Sequence, residues 1–205
     1  MKSLITVIGL TLASTIVVAA DSSATAAYVG NADQGKSKSV TCAGCHGSDG
    51  NSAVADYPKL SGQHATYLQS TLKAYRDGSR ANAIMAGFAA ALSDEDIADL
   101  AAYFSAQTPL TGAVEADLVA RGQQLYRFGD SEKGISACAA CHGPTGAGVA
   151  SAVFPSLKGQ WAAYSETQLK AYRDGRRQHV MMNGVAKNMS DADIKAVAGY
   201  LGGLQ

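Results

Sequence analysis

The chain has 205 residues, which is enough for one or two domains. Its 17 Lys and Arg residues balance its 17 Asp and Glu residues, so the formal net charge is zero and a nucleic-acid partner is not expected. Only 7% of the residues are aromatic, and Gly occurs 22 times, a composition that suits small helical domains.

Residues 1–20 have the pattern of a signal peptide. Lys2 provides a short positive start, an apolar run extends from Leu4 to Val18, and small residues follow. Cleavage is expected after Ala20, or as late as after Ala26. The apolar run is short for a membrane-spanning helix, so an uncleaved anchor is the less favoured alternative. This segment predicts export to the periplasm and is left out of the fold.

Two five-residue motifs organise the rest of the chain, Cys42–His46 and Cys138–His142, and both read C-x-x-C-H. This pattern is the attachment signal for covalent c-type haem. One helical turn places both sulfurs on one side, where they can add to the two vinyl groups, and the following imidazole can ligate the iron. We therefore predict two covalent haem c groups attached through the four cysteines of the chain, Cys42, Cys45, Cys138 and Cys141, with His46 and His142 as proximal ligands.

Other interpretations of these motifs are weaker. Zinc sites built from C-x-x-C pairs usually repeat them within about 15–20 residues, a much shorter spacing than the one between Cys45 and Cys138. A thioredoxin-type redox pair needs no following His. A disulfide within C-x-x-C closes a very short loop and so contributes little chain-entropy stabilisation.

The chain contains an internal repeat of about 97 residues. Three segments return 97 positions later: Pro58–Gln63 as Pro155–Gln160, Leu72–Gly78 as Leu169–Gly175, and Leu92–Ile97 as Met189–Ile194. The repeat indicates a tandem duplication. We predict an N-terminal haem domain over residues 27–108 and a C-terminal one over residues 109–205, with a turn-rich linker near Gln107–Gly112. The first carries a net charge of −2 and the second +2.

Each half is predicted to be helical, with no convincing strand. We expect first helices near 32–41 and 117–128, middle helices at 65–76 and 162–173, and last helices that begin after Ser93 and Ser190. Gly78 and Gly175 are placed to end the middle helices in the left-handed conformation. Tyr103 and Tyr200 are expected to pack where the first and last helices cross.

The sixth iron ligand is predicted to be Met85 in the first half and Met182 in the second. Both lie eight residues before a helix-capping serine, whereas Met189 aligns with Leu92 and is expected in the core. Met181, which aligns with Ile84, remains the alternative to Met182. A thioether is a neutral, soft ligand that raises the reduction potential. The alternative is that these methionines only fill gaps in the core.

Other polar residues have predicted supporting roles. His64 and His179 do not recur in the repeat, so they are expected at the surface or at helix ends rather than on iron. A carbonyl near Pro58 and one near Pro155 are candidates to accept the N–H of each proximal imidazole. Four arginines are candidates to neutralise haem propionates, with solvated surface as the alternative: Arg76, Arg80, Arg173 and Arg177.

These motifs together resemble the dihaem cytochrome c4 family over essentially the whole mature chain. The matching segments include Gly30–Lys36, Cys42–Gly47, Pro58–Gln63, Leu72–Gly78, Leu92–Ile97 and Gly122–Arg127. The resemblance implies an all-α fold of two tandem class I cytochrome c-like domains, each wrapped around one haem c. It also implies His/Met ligation by His46, Met85, His142 and Met182, and haems that face each other across a pseudo-two-fold interface.

The resemblance implies an electron carrier rather than an enzyme. Its members are soluble or loosely membrane-attached periplasmic proteins, and a monomer is expected here. The implied donor is a quinol-oxidising complex and the implied acceptor is a terminal oxidase, especially of the cbb3 type. Two alternatives are the cytochrome subunit of a sulfide-oxidising flavoprotein and, less favoured, a dihaem peroxidase, which would need an open iron site and acid–base residues.

Overall fold

The structure, a computed structural model, describes residues 28–112, 114 and 116–204. The proposed signal peptide lies outside the described residues. Those residues form ten α-helices, two short 3-10 segments and two isolated β-bridges, with no longer strand among them. The all-α prediction is confirmed.

The two halves repeat one order of helices. The N-terminal half contains α1 (Ala32–Lys38), α2 (Ala43–His46), α3 (Ala65–Arg76), α4 (Ala83–Ala89) and α5 (Asp94–Ser105). The C-terminal half contains α6 (Ala116–Phe128), α7 (Ala139–His142), α8 (Ala162–Arg173), α9 (Val180–Ala186) and α10 (Asp191–Gly202). The 3-10 segments are Ser39–Thr41 and Ala150–Ala152. The middle helices have the predicted bounds, whereas α4 and α9 were not predicted.

A glycine lies where the first and last helices of each half cross. A Cβ on Gly35 would come within 2.0 Å of the Asp99 carbonyl oxygen. In the second half, a Cβ on Gly122 would come within 2.4 Å of the Ala196 carbonyl oxygen. Only glycine lets these helix backbones approach so closely. The Cβ atoms of Tyr103 and Tyr200 are the next neighbours, which confirms their predicted place at the crossings.

The last helices carry the core of each half, and both begin as predicted. The hydroxyls of Ser93 and Ser190 accept the backbone N–H groups of Asp96 and Asp193, and these carboxylates bond back to the serine N–H groups. Such reciprocal capping boxes satisfy N–H groups that a helix start leaves free. The apolar faces that follow are fully buried, including Ile97 and its repeat partner Ile194, and Met189 is a core residue as predicted.

The middle helices end as predicted, at glycines with positive φ angles: +80° at Gly78 and +72° at Gly175. Arg76 and Arg173, which lie two residues before these glycines, were candidates to neutralise haem propionates. Arg76 binds the carboxylate of Asp94 at 2.6 Å, and Arg173 binds that of Asp191 at 2.6 Å, while contact with propionates stays a prediction. These ion pairs tie each middle helix to the start of the last helix, and their exposed acids limit the stabilisation that they provide.

Among the described residues, we find no helix that combines the length and the apolar character needed to cross a membrane.

The glycine crossing predicts a matched pair of stability effects. Gly35→Ala should destabilise the protein by about 1–3 kcal/mol, because its methyl group would force the helices apart. Gly87→Ala is the control, because it lies in α4 with nothing within 4 Å of the added Cβ. It should be neutral or stabilise by about 0.5–1 kcal/mol. Thermal unfolding of both variants checks this, and equal midpoints would contradict the crossing geometry.

Candidate haem sites

Each C-x-x-C-H motif forms a single helical turn. In α2, the His46 N–H donates to the Cys42 carbonyl at 3.0 Å, and in α7 the His142 N–H donates to the Cys138 carbonyl at 2.9 Å. Gly47 and its equivalent Gly143 then end the turn with positive φ angles. The compact turn holds both thiols and the imidazole of each motif close together, as covalent haem attachment requires.

The two imidazoles are held in one tautomer by proline carbonyls. Nδ1 of His46 lies 2.9 Å from the Pro58 carbonyl oxygen, and Nδ1 of His142 lies 2.9 Å from that of Pro155. A carbonyl can only accept, so Nδ1 carries the hydrogen and Nε2 keeps its lone pair in the neutral ring. The predicted carbonyl contacts are confirmed.

Burial keeps the same two rings neutral. Both histidines are 7% exposed. Removal from water disfavours the charged form and lowers the pKa of His46 and of His142, although the proline carbonyls act in the opposite direction. A neutral imidazole with a free Nε2 is the form that ligates a metal.

The proline segments are anchored by the glycine-rich loops. The Leu60 N–H donates to the Gly50 carbonyl at 2.7 Å, and the Leu157 N–H donates to the Gly146 carbonyl at 2.7 Å. A side chain on Gly50 would collide with the Ser61 nitrogen at 2.8 Å. The loops therefore fix the carbonyls that orient the histidine rings.

The predicted methionine ligands occupy matching places on the unpredicted helices α4 and α9. Each is the third residue of its helix. The Met85 N–H donates to Asn82 Oδ1 at 2.9 Å, and the Met182 N–H donates to His179 Nδ1 at 3.4 Å. Met181, by contrast, is 47% exposed. The capping role of Asn82 is the signal that could have revealed α4 from the sequence.

The cysteines and histidines of both motifs, the two prolines and the methionines line one cavity of about 1390 Å³, which extends across both halves. Its lining includes both haem motifs and four methionines, namely Cys42, Cys45, His46, Met85, Cys138, Cys141, His142, Met181, Met182 and Met189. The remaining lining is largely apolar, with residues such as Leu68, Phe104 and Leu201. Adjacent thiols, a neutral imidazole and an apolar chamber with thioethers fit a covalently attached haem in each half.

The alternatives considered from the sequence do not fit this geometry. None of the four cysteines forms a disulfide. The described residues contain no cluster of three His, Cys, Asp or Glu residues able to hold a metal ion. Burial raises the pKa of the Cys138 thiol to about 11, whereas a redox-active pair needs a thiol that ionises readily.

The two remaining histidines lie at helix ends, as predicted. His64 precedes α3, and its Nε2 lies 2.8 Å from the Ala147 carbonyl oxygen of the other half. Its repeat partner Trp161 donates from Nε1 to Ser52 Oγ at 2.8 Å, in the reverse direction across the same interface. His179 precedes α9.

Arg80 and Arg177 lie between the halves, where the sequence analysis did not place them. Arg80 is only 9% exposed and donates to the hydroxyl of Tyr164 at 3.0 Å. Arg177 donates to the hydroxyl of Tyr67 at 3.0 Å. Tyr67 and Tyr164 are equivalent in the repeat, so the contacts are reciprocal. Solvated surface is therefore the wrong description of Arg80, and neither tyrosine was recognised from the sequence.

Comparisons with known proteins agree with this geometry. The family model described as cytochrome c matches residues 32–107 and again residues 119–205. Cytochrome c4 of Pseudomonas aeruginosa is 41% identical over 179 residues, which cover 85% of this chain and 89% of the relative. A thiosulfate dehydrogenase electron acceptor of Thiomonas intermedia is 42% identical over 175 residues, which cover 80% of this chain and 78% of the relative.

The fold agrees as well. The solved structure of reduced recombinant cytochrome c4 from Pseudomonas stutzeri superposes with a TM-score of 0.83 at 40% identity, covering 86% of this chain and 100% of that one. Two cytochrome c segments account for two covalently attached haem c groups. The chain therefore belongs to the dihaem cytochrome c4 family and is an electron carrier rather than an enzyme.

Proposed function

We propose that this protein is a periplasmic dihaem carrier that delivers electrons to a terminal oxidase, with each iron held between a histidine and a methionine. The observation that carries the proposal is the matched placement of His46 with Met85, and of His142 with Met182, around one continuous cavity. Two sites with the same ligand types suit a carrier, whereas a peroxidase would need one site that differs from the other.

The proposed haem-binding residues have distinct tasks. The thiols of Cys42, Cys45, Cys138 and Cys141 form the covalent links. The Nε2 atoms of the two motif histidines would coordinate the irons, while their Nδ1–H groups keep the rings oriented through the proline carbonyls. Met85 and Met182 would supply the second protein ligand of each iron, because they share a helix position that Met181 lacks.

Bound haem supplies a one-electron iron couple, and the chain sets the conditions for it. Thioether ligation and burial in an apolar chamber favour the reduced form and so raise the reduction potential. A histidine and a methionine at each iron would leave no position for a substrate. Because one cavity joins the two sites, both haems would lie in one largely apolar environment.

The cellular setting is part of the same proposal. Residues 1–20 serve as the signal peptide, and domains 27–108 and 109–205 act in the periplasm, with loose membrane association as an option. A quinol-oxidising complex is the proposed donor and a cbb3-type oxidase the proposed acceptor. The opposite net charges of the two domains, −2 and +2, would help to orient encounters with these partners.

A second candidate function is supported by the relatives named as thiosulfate dehydrogenase electron acceptors. Under this alternative, the protein receives its electrons from a dehydrogenase that oxidises an inorganic sulfur compound. A flavoprotein that oxidises sulfide is a further donor of this class. The role of the chain as an electron carrier is the same in each case, and the donor differs.

Methionine variants test the ligands. Met85→Ala and Met182→Ala should each remove about half of the weak near-infrared absorption of methionine-ligated ferric haem, because each removes one of two equivalent thioethers. Met181→Ala is the matched control and should retain the full band. Loss of about half of the band in Met181→Ala, with the full band retained in Met182→Ala, would transfer the assignment to Met181.

Closed iron sites should be inert toward small ligands. The reduced wild-type protein should not bind CO rapidly, and the oxidised protein should not turn over peroxide, because both axial positions are taken. Met85→Ala serves as the positive control, since it opens one site and should bind CO at a single haem. Optical spectroscopy monitors both reactions. Rapid CO binding or peroxide turnover by the wild-type protein would contradict the proposal.

Partner assays separate the two candidate roles. We expect the reduced protein to support oxygen consumption by a purified cbb3-type oxidase, at a rate that falls with ionic strength because charge steers the encounter. In parallel, the oxidised protein is mixed with thiosulfate dehydrogenase and thiosulfate, and haem reduction is followed by stopped-flow absorbance. Rapid reduction there, without oxidase turnover, would favour the second function over the first.

A further inference from the structure

The repeated segment Pro58–Gln63, and its counterpart Pro155–Gln160, ends in a glutamine whose role the haem sites do not explain. The prolines of these segments orient the histidines. These glutamines are Gln63 and Gln160, and both lie at the interface between the halves. Gln63 is 8% exposed, so its amide must find partners within the protein.

Each glutamine amide makes two hydrogen bonds to one residue of the opposite half. Gln63 Oε1 accepts the Ser156 N–H at 2.8 Å, and its Nε2 donates to the Ser156 carbonyl at 2.9 Å. Gln160 Oε1 accepts the Lys59 N–H at 2.9 Å, and its Nε2 donates to the Lys59 carbonyl at 2.9 Å. Ser156 and Lys59 are equivalent in the repeat, so the arrangement is reciprocal.

The orientation of both amides is determined by a further contact. Gln63 Oε1 also accepts the N–H of His64 at 3.0 Å, and Gln160 Oε1 accepts the N–H of Trp161 at 3.0 Å. Two N–H donors converge on each oxygen, and a carbonyl faces each nitrogen. A flipped amide would place donor against donor and acceptor against acceptor.

The peptide groups that the glutamines bind are the same ones that hold the haem histidines. The Ser156 N–H and the Pro155 carbonyl belong to a single peptide group. Its N–H side binds Gln63 of the first half, and its carbonyl side accepts the Nδ1–H of His142 in the second half. In mirror fashion, the peptide group between Pro58 and Lys59 connects Gln160 with His46.

We propose that Gln63 and Gln160 are positioning residues that tune the proximal histidine of the opposite half, an inference that rests on the proposed iron ligation by His46 and His142. Hydrogen bonds in a chain polarise one another. An acceptor on the peptide N–H makes its carbonyl a stronger acceptor for the imidazole Nδ1–H. The imidazole then donates more charge through Nε2, which favours the oxidised iron and lowers its potential.

The proposal gives the interface a redox role in addition to its role in packing. Each half supplies the last member of the hydrogen-bond chain that supports the other half's ligand. A rearrangement that separates the glutamines from Ser156 and Lys59 would change both potentials together. The halves are thereby coupled through bonds that contact neither iron directly.

Gln63→Met tests the chain of contacts, because it keeps the side-chain length and removes the amide. In the reduced protein, the Nδ1 proton of His142 should move upfield in the NMR spectrum, while that of His46 stays in place. The reduction equilibrium constant of the C-terminal haem should rise at least threefold, about 28 mV at 59 mV per tenfold. Gln160→Met should produce the mirror result, at His46 and the N-terminal haem.

Two further variants separate tuning from simple opening of the interface. Thr66→Val removes a different bond between the halves, from Thr66 Oγ1 to the Ala150 carbonyl at 2.7 Å, and should leave both histidine signals unchanged. Gln63→Glu retains an oxygen for the Ser156 N–H and should keep the His142 signal at or downfield of its wild-type position. Equal shifts of both haems in Gln63→Met, or an unmoved His142 proton, would overturn the proposal.

The proposed methionine ligation and the proposed tuning by the glutamines are tested by separate measurements. The near-infrared band of the wild-type protein reports methionine ligation, and the difference in Nδ1 proton shift and reduction potential between each glutamine variant and the wild type reports the tuning. A wild-type protein with the full band but no response to either glutamine variant overturns the tuning alone. A wild-type protein without the band overturns the proposed methionine ligation, while the tuning through His46 and His142 is still decided by the Nδ1 proton shifts of the glutamine variants.

Discussion

A neutral imidazole fixed by a proline carbonyl is the contact around which each half is built. If Nδ1 lost its acceptor, the ring could rotate, and Nε2 would no longer point reliably into the cavity. Much of the surrounding fold serves this geometry. The glycine-rich loop holds the proline segment, the turn of α2 or α7 holds the histidine, and the close crossing of first and last helices supports both. Burial then keeps the ring uncharged, so the ligand is available without a change of protonation.

The interface between the halves is polar and reciprocal, which distinguishes it from the apolar core of each half. Glutamine, arginine and tyrosine side chains reach across it in matching pairs, and the departures from symmetry are local. Lys59 occupies the place that Ser156 takes in the other half, and its ammonium group donates to the Gly159 carbonyl at 2.9 Å and lies 4.3 Å from the centre of the Trp161 ring. Burial lowers the pKa of Lys59, and the carbonyl and aromatic contacts compensate for part of the lost hydration.

Local sequence signals were sufficient to predict much of the fold and part of the haem sites. The middle helices, the serine caps at Ser93 and Ser190, and the carbonyl acceptors near Pro58 and Pro155 all depend on neighbours in the chain or in the repeat. The helices that carry Met85 and Met182 are only seven residues long, so their periodicity is weak and only a cap could have revealed them. The contacts of Arg80 and Gln63 across the interface could not be predicted, because a repeat identifies residues that recur without identifying which half they contact.

The reciprocal contacts give a physical reason for keeping both halves in one chain. Polar hydrogen bonds contribute modest net free energy, because both partners give up bonds to water when they meet. Separate domains with such an interface would therefore associate weakly. The short connection between α5 and α6 makes association intramolecular, which raises the effective concentration of each half near the other without any new contact. The linker also contributes a contact to the interface, since the Leu110 carbonyl accepts a hydrogen bond from Lys59 Nζ. Covalent linkage thus lets a polar interface persist where an apolar one would otherwise be needed, and it keeps the two candidate haem sites within one cavity.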